Sequence, residues 1–271
     1  MPGKRLLIVV PYREREAHLR QFVPHVRAYF ARDKADRDID YRCIVVEQEA
    51  GLPFNAGALK NVGFALGSGD ADYTCFNDVD YLPVWADYSW SDVPVPLVWH
   101  GAEARPVAPG ESGFYLRHDL DQFFGAAVLV PNASFARVNG YSNRFFGWGY
   151  EDADLRARFK AAGIVPGRRR GTFQALDHRN AGFETSGRLR RIALANQAIY
   201  ERKRAQPDDA ADGLSTLAYE VLDRQPIPDA RPERNAQWEI VKVRLGMQPS
   251  EEQVDAIRSD AEADAQRAGL E

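Results

Sequence analysis

Alternation of short apolar runs with helical patterns in the first part of the chain constrains the fold most. The runs Lys4–Val10, Tyr41–Glu47 and Tyr73–Asn77 have the length of strands. Between them, apolar residues recur at helical spacing from residue 17 to 30 and from residue 59 to 66. Continuous apolar strands separated by helices are typical of a parallel sheet covered by helices. The sequence therefore predicts an α/β fold with a mostly parallel sheet.

Patterns in the rest of the chain are weaker. They predict strands at residues 123–130, 217–222 and 238–245 and helices at residues 133–138, 155–162 and 189–202. Arg168 to Arg170 is expected to be a solvated turn. From Ser250 the composition becomes acidic and alanine-rich, which predicts a solvent-facing helix or a frayed end. We expect one domain at residues 1–248 and a helical tail at residues 249–271.

Composition excludes several classes of partner. A net charge of -4 and a pI near 5.8 do not suit a nucleic-acid-binding protein. The early apolar run Leu6–Val10 is too short for a membrane span or a signal peptide, so we expect a cytosolic protein without a membrane span. Cys43 and Cys75 lie in strand-like runs and are expected to be reduced core residues.

An acidic pair follows the third predicted strand. In open parallel sheets ligands bind beyond the carboxyl ends of the strands, where Asp78-Val79-Asp80 and Pro11 to Arg15 both fall. Carboxylates at such a position suit Mn²⁺ or Mg²⁺, which normally bridge to substrate phosphates. A lone Asp-X-Asp is also found in ordinary surface turns, so this motif leaves both interpretations open.

A second acidic cluster lies where a loop becomes a helix. Gly147, Trp148 and Gly149 precede Glu151 and Asp152. One interpretation is structural, because acids in a helix's first turn suit its dipole and glycines suit turns. Together with the upstream acidic pair and a downstream histidine, the cluster instead indicates a site with a metal, cationic groups and a spare carboxylate.

These motifs resemble the β-1,4-galactosyltransferase family in order and spacing. The matching segments are Pro11 to Arg15, Phe54-Asn55 with Leu59 to Phe64, Asp78 to Asp80, Gln122 to Gly125, Asn139 to Tyr141 and Phe146 to Asp152. The likeness runs from about Lys4 to His178 and resumes from Gly213 to Asp223. It implies a GT-A-type nucleotide-diphosphosugar transferase fold. It also implies inverting transfer of galactose, or of N-acetylgalactosamine or glucose, from a UDP-sugar to a glycan or glycolipid hydroxyl, assisted by Mn²⁺ or Mg²⁺.

The resemblance also implies roles for individual residues. Asp80 and His178 would bind the metal, Asp152 would be the general base, and Glu151 and Asp78 would hold the donor. The remaining donor-side residues would be Pro11, Tyr12, Arg13, Arg15, Phe54, Val79, Gly125, Trp148 and Gly149, with Phe123 and Tyr150 on the acceptor side. Either Tyr12 or Phe54 would give the base an aromatic face, and the glycines would let Trp148 close over the donor.

Departures from the family pattern limit what can be carried over. Ala175 and Leu176 stand where the family supplies a further metal ligand, so the metal preference is open. Phe123 and Ala126 alter the surroundings of the donor's C2 substituent. Tyr150 and Ala153 alter the acceptor wall, so the acceptor is expected to differ from simple N-acetylglucosamine. With no anchor visible, we expect a cytoplasmic bacterial enzyme, free or peripheral at the inner membrane, acting on a glycolipid or polysaccharide precursor.

Two alternatives stay open. One is a retaining N-acetylgalactosaminyltransferase, whose related motif would remove Asp152 from the role of base. The other is a non-catalytic UDP-sugar or glycan-binding module that has kept the fold. In the transferase interpretation, the segment Arg179–Arg188 is expected to be a flexible loop that orders over donor and metal.

Overall fold

The computed structural model describes residues 4–37, 39–98, 123–176, 188–205, 212–228 and 237–268. The strands within these segments are β1 (Arg5–Tyr12), β2 (Asp40–Gln48), β3 (Tyr73–Asn77), β4 (Tyr81–Ala86), β5 (Val95–Pro96), β6 (Ala127–Pro131), β7 (Gly171–Ala175), β8 (Tyr219–Pro226) and β9 (Trp238–Leu245). The α-helices are α1 (Glu16–Arg37), α2 (Ala56–Gly67), α3 (Asn132–Arg137), α4 (Glu151–Ala161), α5 (Arg191–Ala205) and α6 (Glu251–Ala268).

A central sheet with the order β5-β6-β3-β1-β2-β9-β8 organises the described part of the chain. Strand β1 pairs in parallel with β2 and β3, and β2 pairs in parallel with β9. The outer strands β6, β5 and β8 are antiparallel to their neighbours. A separate antiparallel pair is formed by β4 and β7. The predicted α/β class with a mostly parallel core is confirmed.

Side chains of β1 alternate between two buried clusters. Leu6, Ile8 and Val10 pack with residues of α1, whereas Leu7 and Val9 pack with residues of α2 and α4. Because successive strand residues point to opposite faces, helices cover both faces of the sheet. This explains why the sequence of β1 is apolar throughout rather than alternating. The carboxyl ends of the parallel strands consequently lie at one edge of the sheet. Arg13 directly follows β1 there, and Asp78 directly follows β3.

Two strand and turn predictions need correction. The strand predicted from residue 123 begins only at Ala127, because Ala126 has a left-handed φ of 62° that breaks the extended backbone. The solvated turn predicted at Arg168–Arg170 is wrong for two of its arginines. Arg168 donates to the carbonyl of Phe123 at 3.0 Å, and Arg169 donates to the carbonyl of Asp87 at 3.0 Å. These side chains tie the chain before β7 to its neighbours instead of facing water.

The acidic C-terminal helix α6 packs against α5 and so is not wholly solvent-facing. Gln253 is 1% exposed and donates hydrogen bonds to Asn196 Oδ1 and to the carbonyl of Arg144, each at 2.8 Å. Asp260 accepts from the backbone N–H groups of Arg191 and Ile192 at 3.1 Å, which satisfies the free donors at the start of α5. The helix therefore supports the loop before α4. The boundary at residue 248 between one domain and a helical tail stays a prediction.

Two further observations bear on the composition arguments. Cys43 and Cys75 are free and buried, and both lie beside Ile8 on the strands that flank β1. Burial raises the pKa of both thiols, which confirms their role as core residues. Within the segments described above, no helix has the length and apolar character needed to span a membrane.

Candidate active site

The acidic pair after β3 is held by a compact turn. The N–H of Asp78 donates to the carbonyl of Ala126 at 2.7 Å, and the N–H of Tyr81 donates to the carbonyl of Asp78 at 3.1 Å. The side-chain amide of Asn77 bridges the carbonyls of Asp78 and Tyr81 at 2.9 and 3.0 Å. These bonds fix Asp78 and Asp80 at the carboxyl end of the strand. The side chain of Asp80 is 10% exposed, whereas that of Asp78 is 34% exposed.

Three carboxylates from the two acidic motifs converge on one buried lysine. Nζ of Lys60 lies 3.3 Å from Asp152 Oδ1, 3.7 Å from Asp78 Oδ1 and 3.9 Å from Glu151 Oε1. Lys60 belongs to α2, whose N-cap Asn55 accepts a hydrogen bond from the N–H of Ala58 at 2.9 Å. The geometry therefore brings together Asp78, Glu151 and Asp152, which the sequence places in two distant motifs.

Gly125 provides the space for Asp152. A Cβ atom at Gly125 would lie 2.4 Å from Asp152 Oδ2, well inside contact distance. The carboxylate thus lies between the ammonium of Lys60 on one oxygen and the Gly125 backbone beside the other. Tyr141 completes the floor of the cluster, since its ring centroid lies 4.9 Å from the Lys60 ammonium. The resemblance described above implies a donor-side role for Gly125, but only the fold shows its contact with Asp152.

Burial of this cluster changes its titration. Removal from water raises the pKa of Asp152 to about 7, and the charges of Glu151 and Asp78 also raise it, while Lys60 opposes the shift. Burial alone would lower the pKa of Lys60. The neighbouring Asp152, Tyr141, Asp78 and Glu151 outweigh this and raise the lysine pKa well above its ordinary value. Lys60 therefore stays charged at neutral pH, while the raised pKa of Asp152 lies close to neutral pH.

The loop before α4 is anchored on two sides. The N–H of Gly147 donates to the carbonyl of Phe54 at 2.7 Å. The side-chain amide of Asn196 on α5 donates to the carbonyls of Phe146 and Trp148 at 2.9 and 3.0 Å. Gly147 and Gly149 have φ values of 79° and 97°, which explains why glycine occupies both positions. Trp148 is therefore carried close to Phe54 by backbone contacts.

Tyr150 adopts a left-handed φ of 75° directly before α4. Its ring packs against Tyr200 of α5, with the centroids 5.5 Å apart. A non-glycine residue in this backbone region is uncommon and is often associated with a functional site. The acceptor-side role of Tyr150 stays a prediction.

Basic and aromatic residues follow β1. The guanidinium of Arg13 lies 5.5 Å from the ring centroid of Phe54, and it donates to the carbonyl of Leu52 at 2.6 Å. Arg15 Nη1 lies 3.8 Å from Asp80 Oδ2. Tyr12 is 4% exposed and packs in the core, so the half-buried Phe54 is the ring of the two that is open to a base. Pro11 is buried near the carboxyl end of β1, where it precedes these side chains.

Other predicted residues lie around this arrangement. Val79 packs in the core between the two aspartates. Phe123 is half-buried, its ring lies near Gly125, and its carbonyl accepts from Arg168. The half-buried Phe123 is compatible with a pocket wall, whereas Val79 is a core residue. Their donor and acceptor roles stay predictions.

The candidate metal position is partly described. Asp80 offers the oxygen ligands that Mn²⁺ and Mg²⁺ accept. The N–H of Leu176 donates to the carbonyl of Asp80 at 2.7 Å, which brings the chain just before His178 next to Asp80. His178 itself lies outside the described residues, as do residues 179–187 of the predicted flexible loop. Across the described segments, no three His, Cys, Asp or Glu side chains group as a metal site. Neither Ala175 nor Leu176 has a ligating side chain.

Comparison with known families decides the relationship. The N-terminal region of glycosyl transferase group 7 matches residues 1–89, and the N-terminal domain of galactosyltransferase matches residues 105–179. Together the two matches cover more than half of the chain. The chain belongs to the β-1,4-galactosyltransferase family.

Relatives in this family match most of the chain. Human β-1,4-galactosyltransferase 7 is 31% identical over 223 residues, which are 81% of this chain and 62% of the human protein. The Drosophila melanogaster β-1,4-galactosyltransferase 7 is 30% identical over 224 residues, 80% of this chain and 63% of that protein. The chain thus spans somewhat less than two thirds of the length of these relatives.

A solved structure shows the shared fold. The catalytic domain of Drosophila β1,4-galactosyltransferase 7 in complex with xylobiose has a TM-score of 0.69 and 26% identity, covering 90% of this chain and 95% of that domain. A mutant of the same enzyme in complex with manganese, UDP-Gal and xylobiose has a TM-score of 0.64 and 25% identity over the same shares. The GT-A-type fold predicted from the resemblance is confirmed.

Sequence reasoning missed Lys60, although Lys60 lies inside one of the family-like segments. A lysine among the apolar and small residues of α2 was the available signal, since lysine is almost never fully buried unless paired.

The bacterial origin and cytoplasmic location stay predictions.

Proposed function

We propose that this chain is an inverting, metal-dependent galactosyltransferase that uses a UDP-sugar donor and a glycan or glycolipid acceptor. The observation that carries the proposal is the convergence of Asp78, Glu151 and Asp152 within 4 Å of the Lys60 ammonium at the carboxyl edge of the sheet. Family membership supports the reaction class. The Drosophila relative was solved as a mutant in complex with manganese, UDP-Gal and xylobiose, so UDP-Gal as donor and xylobiose as acceptor serve here as starting candidates.

Asp152 is the proposed general base. The acceptor hydroxyl oxygen forms a bond to the anomeric carbon while the bond from that carbon to the diphosphate oxygen breaks. The electron pair leaves with UDP, and the hydroxyl proton goes to the Asp152 carboxylate. Attack from the face opposite the leaving group inverts the anomeric configuration. The pKa of about 7 lets Asp152 accept this proton near neutral pH.

Asp78 and Glu151 are proposed to hold hydroxyl groups of the donor. Both carboxylates lie beside Lys60, and Glu151 begins the same helix that carries the base. Arg13 and Phe54 would form one wall of the uridine pocket, where the ring of Phe54 is open to stack on the base. Trp148, between two glycines with positive φ, would cover the donor.

Asp80 and His178 are proposed to hold Mn²⁺ or Mg²⁺. A divalent cation bound there would neutralise charge on the departing diphosphate. The partly buried carboxylate of Asp80 fits such an ion, and Arg15 beside it adds a further positive charge toward phosphate. The carbonyl of Asp80 accepts from the N–H of Leu176, and the N–H of the next residue, Tyr81, bonds to Asp78, which favours a rigid ligand.

The proposal is tested by a screen of UDP-sugars with Mn²⁺ on wild type and on Asp152→Asn. The variant should bind UDP as wild type does and lose turnover by about 10² or more. Asp154→Asn is the matched control, because Asp154 lies in the same helical turn but pairs with Arg158 at 2.7 Å. Turnover unchanged in Asp152→Asn would contradict the base assignment. Tight UDP binding by the wild type with no transfer or hydrolysis of any UDP-sugar would favour the non-catalytic alternative.

A further inference from the structure

Among the described residues of the candidate site, Lys60 is a buried charged side chain to which the proposed reaction gives no role. Lys60 is 2% exposed in the middle of α2, next to Leu59 and Asn61. Burial of an ammonium group costs several kcal/mol unless charged or hydrogen-bonded partners replace its water. A lysine at this depth therefore needs a specific set of partners.

The partners of Lys60 are acids of the candidate active site. Its Nζ donates a hydrogen bond to Asp152 Oδ1 at 3.3 Å. The oxygens of Asp78 and Glu151 lie at 3.7 and 3.9 Å, beyond hydrogen-bond distance. Lys60 thus hydrogen-bonds to Asp152 and contributes only its field to the other two.

The second oxygen of Asp152 has a different neighbour. Oδ2 lies in the volume that a side chain at Gly125 would fill, since a Cβ there would be 2.4 Å away. Lys60 and Gly125 therefore restrict the carboxylate from two directions. Oδ1 already accepts from Lys60, whereas no described residue donates a hydrogen bond to Oδ2, so Oδ2 has the greater capacity left for the acceptor hydroxyl.

Tyr141 is a second, independent feature of the same cluster. Its side chain is fully buried, and its ring centroid lies 4.9 Å from the Lys60 ammonium, within the range of a cation–π contact. The Tyr141 hydroxyl forms no hydrogen bond with any described residue. A ring face placed on the ammonium holds Lys60 in position without competing for Asp152.

We infer that Lys60 is a positioning residue for the base of the proposed reaction. It holds Asp152 through Oδ1, directs Oδ2 to the acceptor hydroxyl, and keeps a positive charge beside the carboxylate. Lys60 keeps its own proton throughout, since the transferred proton goes from the acceptor to Asp152. This role rests on the proposed function of Asp152.

The charge state of Asp152 should report this role. The charged and titratable groups that face it are Lys60 from α2, Asp78 and Tyr81 from the chain around β4, Tyr141, and Glu151 of α4. Among them Lys60 is the cation. Removal of its charge would leave Asp152 beside two carboxylates, so protonation of the base would become easier.

The test compares Lys60→Met with Lys203→Met. Lys203 is a matched control, because its side chain is 8% exposed and pairs with Asp212 at 2.9 Å and Asp154 at 3.4 Å, outside the site. We expect Lys60→Met to move the acidic limb of the kcat/KM profile upward by at least one pH unit, so its loss at pH 6.5 is about tenfold greater than at pH 9. Lys203→Met should leave the limb where wild type has it.

Lys60→Arg separates charge from geometry. It should keep the acidic limb within about half a pH unit of wild type but lower kcat, because the larger guanidinium displaces Oδ1. If Lys60→Met lowers kcat/KM by the same factor at every pH, the inference is overturned. It is also overturned if Lys203→Met moves the acidic limb of the kcat/KM profile as far as Lys60→Met does.

A direct titration distinguishes failure of this inference from failure of the proposed function. The ¹³C signal of the Asp152 carboxyl can be followed against pH in wild type, Lys60→Met and Lys60→Arg. A higher pKa of Asp152 in the Met variant supports the Lys60–Asp152 pair even if no sugar is transferred, in which case only the proposed reaction fails. If the Met variant does not fold, a pKa in the Arg variant more than one unit above wild type would overturn the inference.

Discussion

Substitution of Gly125 by alanine offers a test of the active-site geometry with a magnitude set by the structure. The added Cβ would lie 2.4 Å from Asp152 Oδ2 and 3.2 Å from Phe123 Cζ, whereas ordinary contacts begin near 3.4 Å. Asp152 or the backbone must therefore move by about 1 Å. A displacement of this size at a reacting group can lower turnover by about 10², which corresponds to about 2.7 kcal/mol of transition-state stabilisation.

The assay measures kcat, the KM for acceptor and UDP binding in the same preparations. Gly125 does not have a positive φ, so alanine is compatible with its backbone. UDP binding and the melting temperature should consequently change little compared with kcat. Gly69→Ala is the matched control, because a Cβ there would meet nothing within 4 Å. A Gly125→Ala variant within twofold of wild type in kcat would refute the close contact between Gly125 and a catalytic Asp152.

Three further predictions follow from the same geometry. Because burial first, and then Glu151 and Asp78, raise the pKa of Asp152 to about 7, the folded state binds a proton that the unfolded chain releases near pH 4. Wild type should therefore lose free energy of unfolding relative to Asp152→Asn as pH rises from about 4 to 7, with no further relative loss above it, in urea titrations; parallel curves would contradict this. Asp80→Ala should weaken Mn²⁺-dependent UDP binding in calorimetry by about tenfold or more and leave metal-free binding unchanged, so equal metal dependence in both proteins would count against a ligand role. Gln253→Leu removes the hydrogen bonds that Gln253 donates to the Arg144 carbonyl and to Asn196 Oδ1, together with the one it accepts from the Ser250 N–H, and should cost about 1–3 kcal/mol of stability. Gln197→Leu, which removes an exposed hydrogen bond to Glu201, should cost less than about 0.5 kcal/mol.

The sequence could predict the part of this fold that depends on local pattern. Strands β1, β2 and β3 follow from apolar runs, and the rule for the carboxyl ends of parallel strands predicts that Asp78 and Asp80 lie at a binding edge. Family likeness then adds Glu151 and Asp152 to the same edge. The structure brings Asp78, Glu151 and Asp152 together as these arguments require.

Other features depend on contacts between distant segments and could not be predicted. The contact of Lys60 with Asp152 joins residues 92 positions apart, and no periodicity reports it. The close approach of Gly125 to Asp152 requires knowledge of where the backbone turns after Phe124. The support of the loop by Gln253 of α6 depends on packing against α5, whereas the acidic composition of that segment predicted a solvent-facing helix.

The arginine turn shows the same limit from another direction. Arg168 and Arg169 look solvated by charge alone, yet their guanidinium groups satisfy carbonyls of Phe123 and Asp87. Such bonds form because a buried carbonyl without a partner costs about 1–3 kcal/mol, and a long flexible arginine can reach it. A local charge run cannot show which carbonyls lie within that reach.

The most direct test of the central claim is the anomeric configuration of the product formed from UDP-α-galactose and Mn²⁺, read by proton NMR. If Asp152 is the base that deprotonates the acceptor for attack opposite the diphosphate, the account predicts a β-linked galactoside. An α-linked product would contradict it, because retention needs a different arrangement of the reacting groups and would remove Asp152 from the role of base.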